Sequence, residues 1–282
     1  MDRWNTDFAE QSPLLTVLRT AVRQVMGDDW PALSRLQEVI TRAGIRTASG
    51  PPLQLVPPAA AGAGESYEQR LYARGELEFR EHNWHDLFNV LVWLTFPRAK
   101  AALNARHHAA LPADKAGGRG PVRDALTLFD ESGVIVVSAD AELLHMIRGF
   151  RWKSLFWERR AAVLADMDFL LFGHALCEKM LAPYKGITGR GLLLEVDRDF
   201  LALPPAERLA QIDSRVALWI SDPQALRHTH ELAPLPVLGI PGWCADNEQS
   251  AYYDDRDHFR PGRMGRVPLP ATDCDAMPKE IR

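Results

Sequence analysis

Paired cysteines, a long hydrophobic run and a surplus of basic charge are all missing from this 282-residue chain. Each absence removes a class of function. The three cysteines, Cys177, Cys244 and Cys274, form neither a disulfide framework nor a paired-thiol zinc motif, so a reducing, cytoplasmic setting is expected. The most apolar stretch runs from Leu87 to Phe96 and is interrupted by Asn89, whereas a bilayer span needs roughly twenty apolar residues. Residues 1–7 hold neither the basic nor the apolar region of a signal peptide. With 33 basic against 37 acidic residues, the net charge of −4 supplies no global field for nucleic acid. We therefore expect a soluble protein with no membrane association and no strong nucleic-acid signal.

What is present is ordinary globular composition, 46% hydrophobic and 25% charged, in a chain long enough to bury a sizeable core. Eight tryptophans add large apolar contacts. Helices are expected over residues 14–25 and 31–44, then an extended piece over 52–57. The run Ala-Ala-Ala-Gly-Ala-Gly in 59–65 reads as a flexible loop. Ser66 and Gln69 form a capping-box pattern, and Gly75 stops the helix it opens. Asn83 suits an N-cap for a helix reaching Phe96, and Pro97 must either kink it or restart it, with Arg98 to Ala110 continuing as a polar-faced helix.

Residues 125–129 and 134–138, separated by Asp130-Glu131-Ser132-Gly133, read as a hairpin. Helices over 141–157 and 159–181, a strand over 191–196 and a helix over 205–212 follow. The stretch from there to Ser221 is compatible with helix or strand. The expected fold is α+β: a predominantly helical single domain over residues 1–263, with a small mixed or antiparallel sheet including one hairpin. Residues 1–58 form its N-terminal helical layer, and residues 264–282 are expected to be a disordered tail.

Chemistry-bearing side chains concentrate where the chain is most apolar. His85 and Asp86 open the helix that carries Leu87 to Phe96, and His174 and Glu178 stand four apart beside Phe169, Leu170, Leu171 and Phe172. Polar groups entering a core need partners. They are therefore either a hydrogen-bonded structural knot or the floor of a site. His85, Asp86 and His174 suit a divalent metal, since imidazole and carboxylate bind zinc, manganese or iron. Asp124 and Asp130 flank the first expected hairpin strand and could join Glu131 in holding magnesium or manganese; the competing reading is ordinary turn composition and an Arg123–Asp124 pair. Lys100, Asn104, Arg123 and Lys185 are the candidates for holding an anionic substrate. The loop from Pro183 to Gly191 lacks the Gly-Lys-Ser/Thr ending of a P-loop. The segment with Trp243, Tyr252, Tyr253 and Phe259 offers an aromatic interface or a pocket wall.

Several of these stretches together resemble a bacterial family known as domain of unknown function 3025. They are Asn83-Trp84-His85-Asp86-Leu87-Phe88-Asn89 with Trp93, Phe96-Pro97-Arg98 with Lys100 and Asn104, and Arg123-Asp124-Ala125-Leu126-Thr127 with Phe129-Asp130-Glu131. Gly173-His174 with Glu178, Pro241-Gly242-Trp243 and Tyr253-Asp254-Asp255 complete the set. The resemblance spans about Tyr67 to Arg263. It implies one continuous domain and a bacterial cytoplasmic setting, and it carries no assigned activity and no catalytic residue. Metal-dependent phosphohydrolases with a His-Asp doublet need an upstream histidine, and none precedes His82 here.

Two functions remain open on this reading. One is a hydrolase, metal-assisted or using His and carboxylate acid–base chemistry, acting on a phosphoester or other anionic substrate. The other is a non-catalytic binding or assembly protein in which the buried His, Asp and Asn groups are structural.

Overall fold

A computed structural model describes residues 4–58, 65–111 and 120–262. Most of the expected flexible loop over 59–65 and the expected tail over 264–282 lie outside the described residues. The chain is a predominantly helical α+β protein with small sheets. In chain order it runs α1 (Phe8–Gln11), α2 (Arg19–Val25), α3 (Leu33–Arg42), β1 (Gln54–Val56), α4 (Tyr67–Arg74), β2 (Glu76–Glu78), α5 (Trp84–Thr95), α6 (Pro97–Ala110) and α7 (Pro121–Ser132). It continues through β3 (Gly133–Ser138), α8 (Ala141–Arg148), α9 (Arg160–Asp166), β4 (Met167–Leu171), α10 (His174–Lys179), β5 (Thr188–Glu195), α11 (Arg198–Ala202), α12 (Pro205–Ser221) and β6 (Ala233–Pro236). No helix among the described residues is long and apolar enough to cross a membrane.

Contacts divide the chain into two compact units, each assembled from three separate stretches. The first comprises residues 1–132, 171–182 and 209–229; the second comprises 133–170, 183–208 and 230–282.

The first unit is helical. Its local signals were legible: Ser66 and Gln69 make a reciprocal capping box on α4, and Asn83 caps α5 by accepting the Asp86 N–H at 3.0 Å. Gly75 closes α4 with φ +75°, and a Cβ there would lie 2.1 Å from the Pro52 carbonyl oxygen. Phe96 alone separates α5 from α6, because Pro97 fits the first turn of a helix. The free N–H groups at the start of α6 donate to buried Asp213, at 3.1 Å from Arg98 and 2.8 Å from Ala99. The stretch left open up to Ser221 is all α12, whose Ile212, Val216 and Ile220 are buried at four-residue spacing. Inside the unit α10 packs on α5 and α7, and α7 packs on α6. Phe88, Trp93, Phe96, Phe129 and Phe172 are fully buried, with the Phe129 and Phe172 rings stacked at 4.6 Å.

The second unit holds a four-stranded mixed sheet in the order β4-β3-β5-β6. β3 runs parallel to β5, with Gly133 opposite Arg190 and Ser138 opposite Glu195, and β6 runs antiparallel to β5. All six residues of β3 are buried, as a strand flanked on both edges and covered requires. α8 packs against β3, β5 and β6.

Three expectations need correction. The hairpin does not form: residues 125–129 are the middle of α7. The run Ala-Leu-Thr-Leu-Phe fits an alternating pattern, yet Ala125, Leu126 and Phe129 are the buried positions, which is a helical spacing. The helix expected over 159–181 is three elements, α9, β4 and α10; the short continuous apolar run in β4 carries no period to separate strand from helix. The helix expected over 141–157 breaks at Gly149–Phe150, where Phe150 has φ +56°, and resumes as a π-type turn at Ser154–Glu158.

Candidate functional site

The site lies within the first unit. His85 stands in the first turn of α5, just inside the Asn83 cap. His174 is the first residue of α10. Because α10 packs on α5, the two Nε2 atoms face each other at 3.0 Å, with the rings edge to face at 4.5 Å between centroids. Glu178, one turn beyond His174, places Oε2 3.0 Å from His85 Nδ1. The last turn of α7 supplies two consecutive carboxylates. Asp130 Oδ2 is 3.8 Å from His174 Nδ1, and Glu131 Oε1 is 3.8 Å from His174 Nε2.

Behind this group lies a buried polar chain. Lys100 on α6, 3% exposed, donates from Nζ to Asn89 Oδ1 at 2.9 Å and to Asp130 Oδ1. Its ammonium sits 5.7 Å from the centre of the Trp93 ring. Asn89 also hydrogen-bonds the Tyr67 hydroxyl, whose pKa burial and the nearby Asp130 charge push up. The titrations follow from these neighbours. Burial, with help from the Lys100 and His85 charges, holds His174 down at about 4, against the pull of Asp130. Burial opposes ionisation of Asp130, but Lys100 and His174 outweigh it and keep the carboxyl below its usual range. Burial and the adjacent Asp130 push Glu131 up.

The donor atoms of His85, Glu131 and His174 all lie within 4.8 Å of one another. Two imidazole nitrogens and one carboxylate oxygen suit zinc, iron or manganese, with metal–nitrogen distances of about 2.0–2.1 Å for zinc. The Glu178 carboxylate behind His85 matches the arrangement that orients metal-bound histidines.

The family model described as "Protein of unknown function (DUF3025)" matches residues 53–263. The chain belongs to that family. No curated protein and no solved structure matches it. The DUF3025 region contains every residue of the cluster, and α1, α2 and α3 precede it.

Not every candidate within the DUF3025 region reaches the cluster. His85, His174, Glu178 and Asp130 converge. Asp86 does not join them: both its oxygens are held by Arg80, at 2.8 Å from Nε and from Nη2, and Oδ2 also accepts the Arg80 N–H. Asp124 is exposed in the first turn of α7, whereas Asp130 lies near the last. Arg123 pairs with Glu68 at 2.8 Å instead of with Asp124. Asn104 is buried and donates to the Glu68 carbonyl at 3.2 Å. Lys185 belongs to the other unit, where it pairs with Asp255. The aromatic segment is packed within that unit as well: Tyr253 and Phe259 are buried, and the Tyr253 hydroxyl donates to the Gly239 carbonyl at 2.9 Å.

Tyr67 and Asn89 were missed as site members. Glu131 was weighed beside Asp124 and Asp130 as a magnesium or manganese ligand, against a reading as ordinary turn composition; it lies instead with His85 and His174. Asn89 follows His85 by four residues and shares its helix face, a spacing legible in the sequence that did not by itself make it a site residue. Nothing in the local sequence points to Tyr67.

Proposed function

We propose that this protein is a hydrolase in which His85, His174 and Glu131 hold a divalent metal ion. The observation that carries this reading is the pair of facing Nε2 atoms, each on a ring whose Nδ1 is turned toward a carboxylate. A proton kept on His85 Nδ1 by Glu178 leaves the His85 Nε2 lone pair facing His174 Nε2 at 3.0 Å. Such an arrangement calls for a cation there. Counting His85 and His174 as neutral, the charges of Asp130, Glu131, Glu178 and Lys100 sum to about −2, which favours a divalent ion over a bare anionic ligand.

When bound, the ion would lower the pKa of a water and polarise a substrate oxygen. His85 and His174 would bind through Nε2, and Glu178 would orient His85. Glu131, half-exposed, would complete the donor set and face the substrate side. Lys100 and Arg123 are committed to Asp130 and Glu68, so an anionic substrate such as a phosphoester would rely on the ion itself and on Lys179. Lys179 is exposed on α10, and its charge reaches Glu131. A bacterial cytoplasmic setting is consistent with this reading, given the free thiols of Cys177 and Cys244.

The second reading, a binding or assembly protein with structural polar groups, is favoured by the pairing of Asp86 with Arg80 and of Glu68 with Arg123. Elemental analysis after reconstitution with zinc, manganese and iron(II) separates the two, alongside turnover of an activated phosphodiester. About one ion per chain, lost in His85→Ala and Glu131→Ala with folding retained, together with metal-dependent turnover, is the expected result. A wild-type protein that takes up no ion would sink the hydrolase reading.

A further inference from the structure

We infer that Arg80, held in place by Asp86, is the residue that binds the charged oxygens of a phosphoester-type substrate at the His85–His174 centre. This deepens the hydrolase reading and rests on it for its functional meaning. Asp86 lies in the first turn of α5 beside His85, yet it stays out of the cluster because it is committed to Arg80. Its Oδ2 accepts the Arg80 main-chain N–H at 2.7 Å and the Nε–H at 2.8 Å, and Oδ1 accepts from Nη2 at 2.8 Å. The main chain and the side chain of Arg80 are therefore both tied to the helical turn that carries His85. The reversal at Glu81–His82, where His82 has φ +57°, brings Arg80 back to that turn.

A guanidinium carries five N–H donors in a planar fork, enough for two bidentate partners. Asp86 takes the Nε/Nη2 edge. The Nη1/Nη2 edge keeps its paired N–H groups, and among the described residues no acceptor meets Nη1. The two partners also differ in exposure: the Asp86 side chain is 11% exposed and the Arg80 side chain 57%. An enclosed carboxylate thus fixes a guanidinium that remains open to solvent. Arginine matches phosphate and carboxylate oxygens two bonds at a time, and an edge fixed beforehand loses less freedom when it does so. The charges around the centre agree with this assignment. The charge of Glu178, the carboxylate on His85 Nδ1, reaches Arg80, and the charge of Lys179 reaches Glu131. Cations from two elements therefore stand beside donors of the cluster, where negative charge brought to the ion by a substrate would be met.

The test compares wild type with Arg80→Gln, with Arg80→Lys, which keeps the charge and loses the paired edge, and with Arg80→Gln/Asp86→Asn. The double variant removes both charges, so no carboxylate is left enclosed without its partner, and it protects folding. Each protein is titrated by calorimetry with zinc and manganese and then, ion-loaded, with inorganic phosphate. Expected is an unchanged ion affinity throughout, with phosphate binding about 10–100-fold weaker in Arg80→Gln and in the double variant. Arg80→Lys should fall between these and wild type. A structural role alone would not separate the two titrations. Phosphate affinity unchanged in the double variant, or no phosphate binding by ion-loaded wild type, overturns the inference while the ion site stands. A parallel loss of ion and phosphate affinity also overturns it, since Arg80 would then be shaping the ion site instead of meeting the substrate. Should wild type take up neither ion, the hydrolase reading fails, and phosphate titrated into the ion-free protein decides the rest: binding that depends on Arg80 upholds the oxyanion assignment, and its absence overturns it.

Discussion

His174 and His258 are both buried histidines, one in each unit, 4% and 6% exposed, and burial is the largest cause of a lowered pKa in each. Their surroundings differ in kind. His258 Nδ1 accepts the Gly186 N–H at 3.0 Å, and its ring packs edge-on against Phe259 and Tyr252. One main-chain donor and an aromatic wall make it a fastener between loops. His174 faces a second imidazole and two carboxylates, with a buried lysine behind them. The nearby lysines repeat the contrast: Lys100 is enclosed, whereas Lys185 is half-exposed where it meets Asp255. A buried histidine by itself says little; the charges that share its burial distinguish a fastener from a site.

Four measurements test that contrast, taken here from the largest expected effect to the smallest. Lys100→Ala leaves Asp130 enclosed without its counter-charge and should cost about 3–5 kcal/mol by urea unfolding; a loss under about 1 kcal/mol would mean the pair is solvated. Acid should act through His174. Its folded pKa is about 4 against an ordinary 6.5, so the unfolded chain binds the extra proton first. The stability contribution is complete above about pH 6.5 and drains away as pH falls toward 4, by about 3 kcal/mol in total. Unfolding curves at a series of pH values should show that slope in wild type and a reduced slope in His174→Gln. His258 has the same sign and will supply part of what remains.

His258→Ala should cost about 1–3 kcal/mol, because the Gly186 N–H loses its acceptor, while ion affinity at the His85–His174 centre stays at the wild-type value by calorimetry. A parallel fall in affinity would erase the distinction between the two histidines. Lys185→Ala should change stability by less than about 1 kcal/mol, since its partner pair is largely screened by solvent.

The parts of this architecture legible in the sequence are those set by local chemistry. The Asn83 cap and the Ser66–Gln69 box each act within a few residues, and the helices appear where those signals put them; at Pro97, where a kink or a restart was open, the chain restarts. The convergence of His85, His174 and Glu178 was legible for another reason: ionisable groups on strongly apolar helices need each other. Pairings without a local rule escaped. Asp86 meets Arg80 across the chain reversal at Glu81–His82, where His82 has φ +57°, and no periodicity marks such a contact. Residues 125–131 satisfy two periods at once, and packing of Leu126 and Phe129 chose the helix. That choice also decided between the two readings of Asp130 and Glu131, placing both in the last turn of α7 beside His174. β4 was hidden because a short apolar run looks the same in a buried strand and a buried helix.

The first unit takes residues 171–182 from the stretch of chain between β4 and β5, whose strands belong largely to the other unit. The two imidazoles that meet in space are 89 residues apart in sequence, and His85 is 93 from Glu178. A nascent chain that has emerged only as far as Ser132 therefore holds His85, Asp130, Glu131 and Lys100, but it lacks His174 and Glu178. The centre is completed only after β3, α8, α9 and β4 have been synthesised and α10 has come back to α5. Ion capture would then report, on the time axis of synthesis, that the intervening chain has been made and α10 has docked.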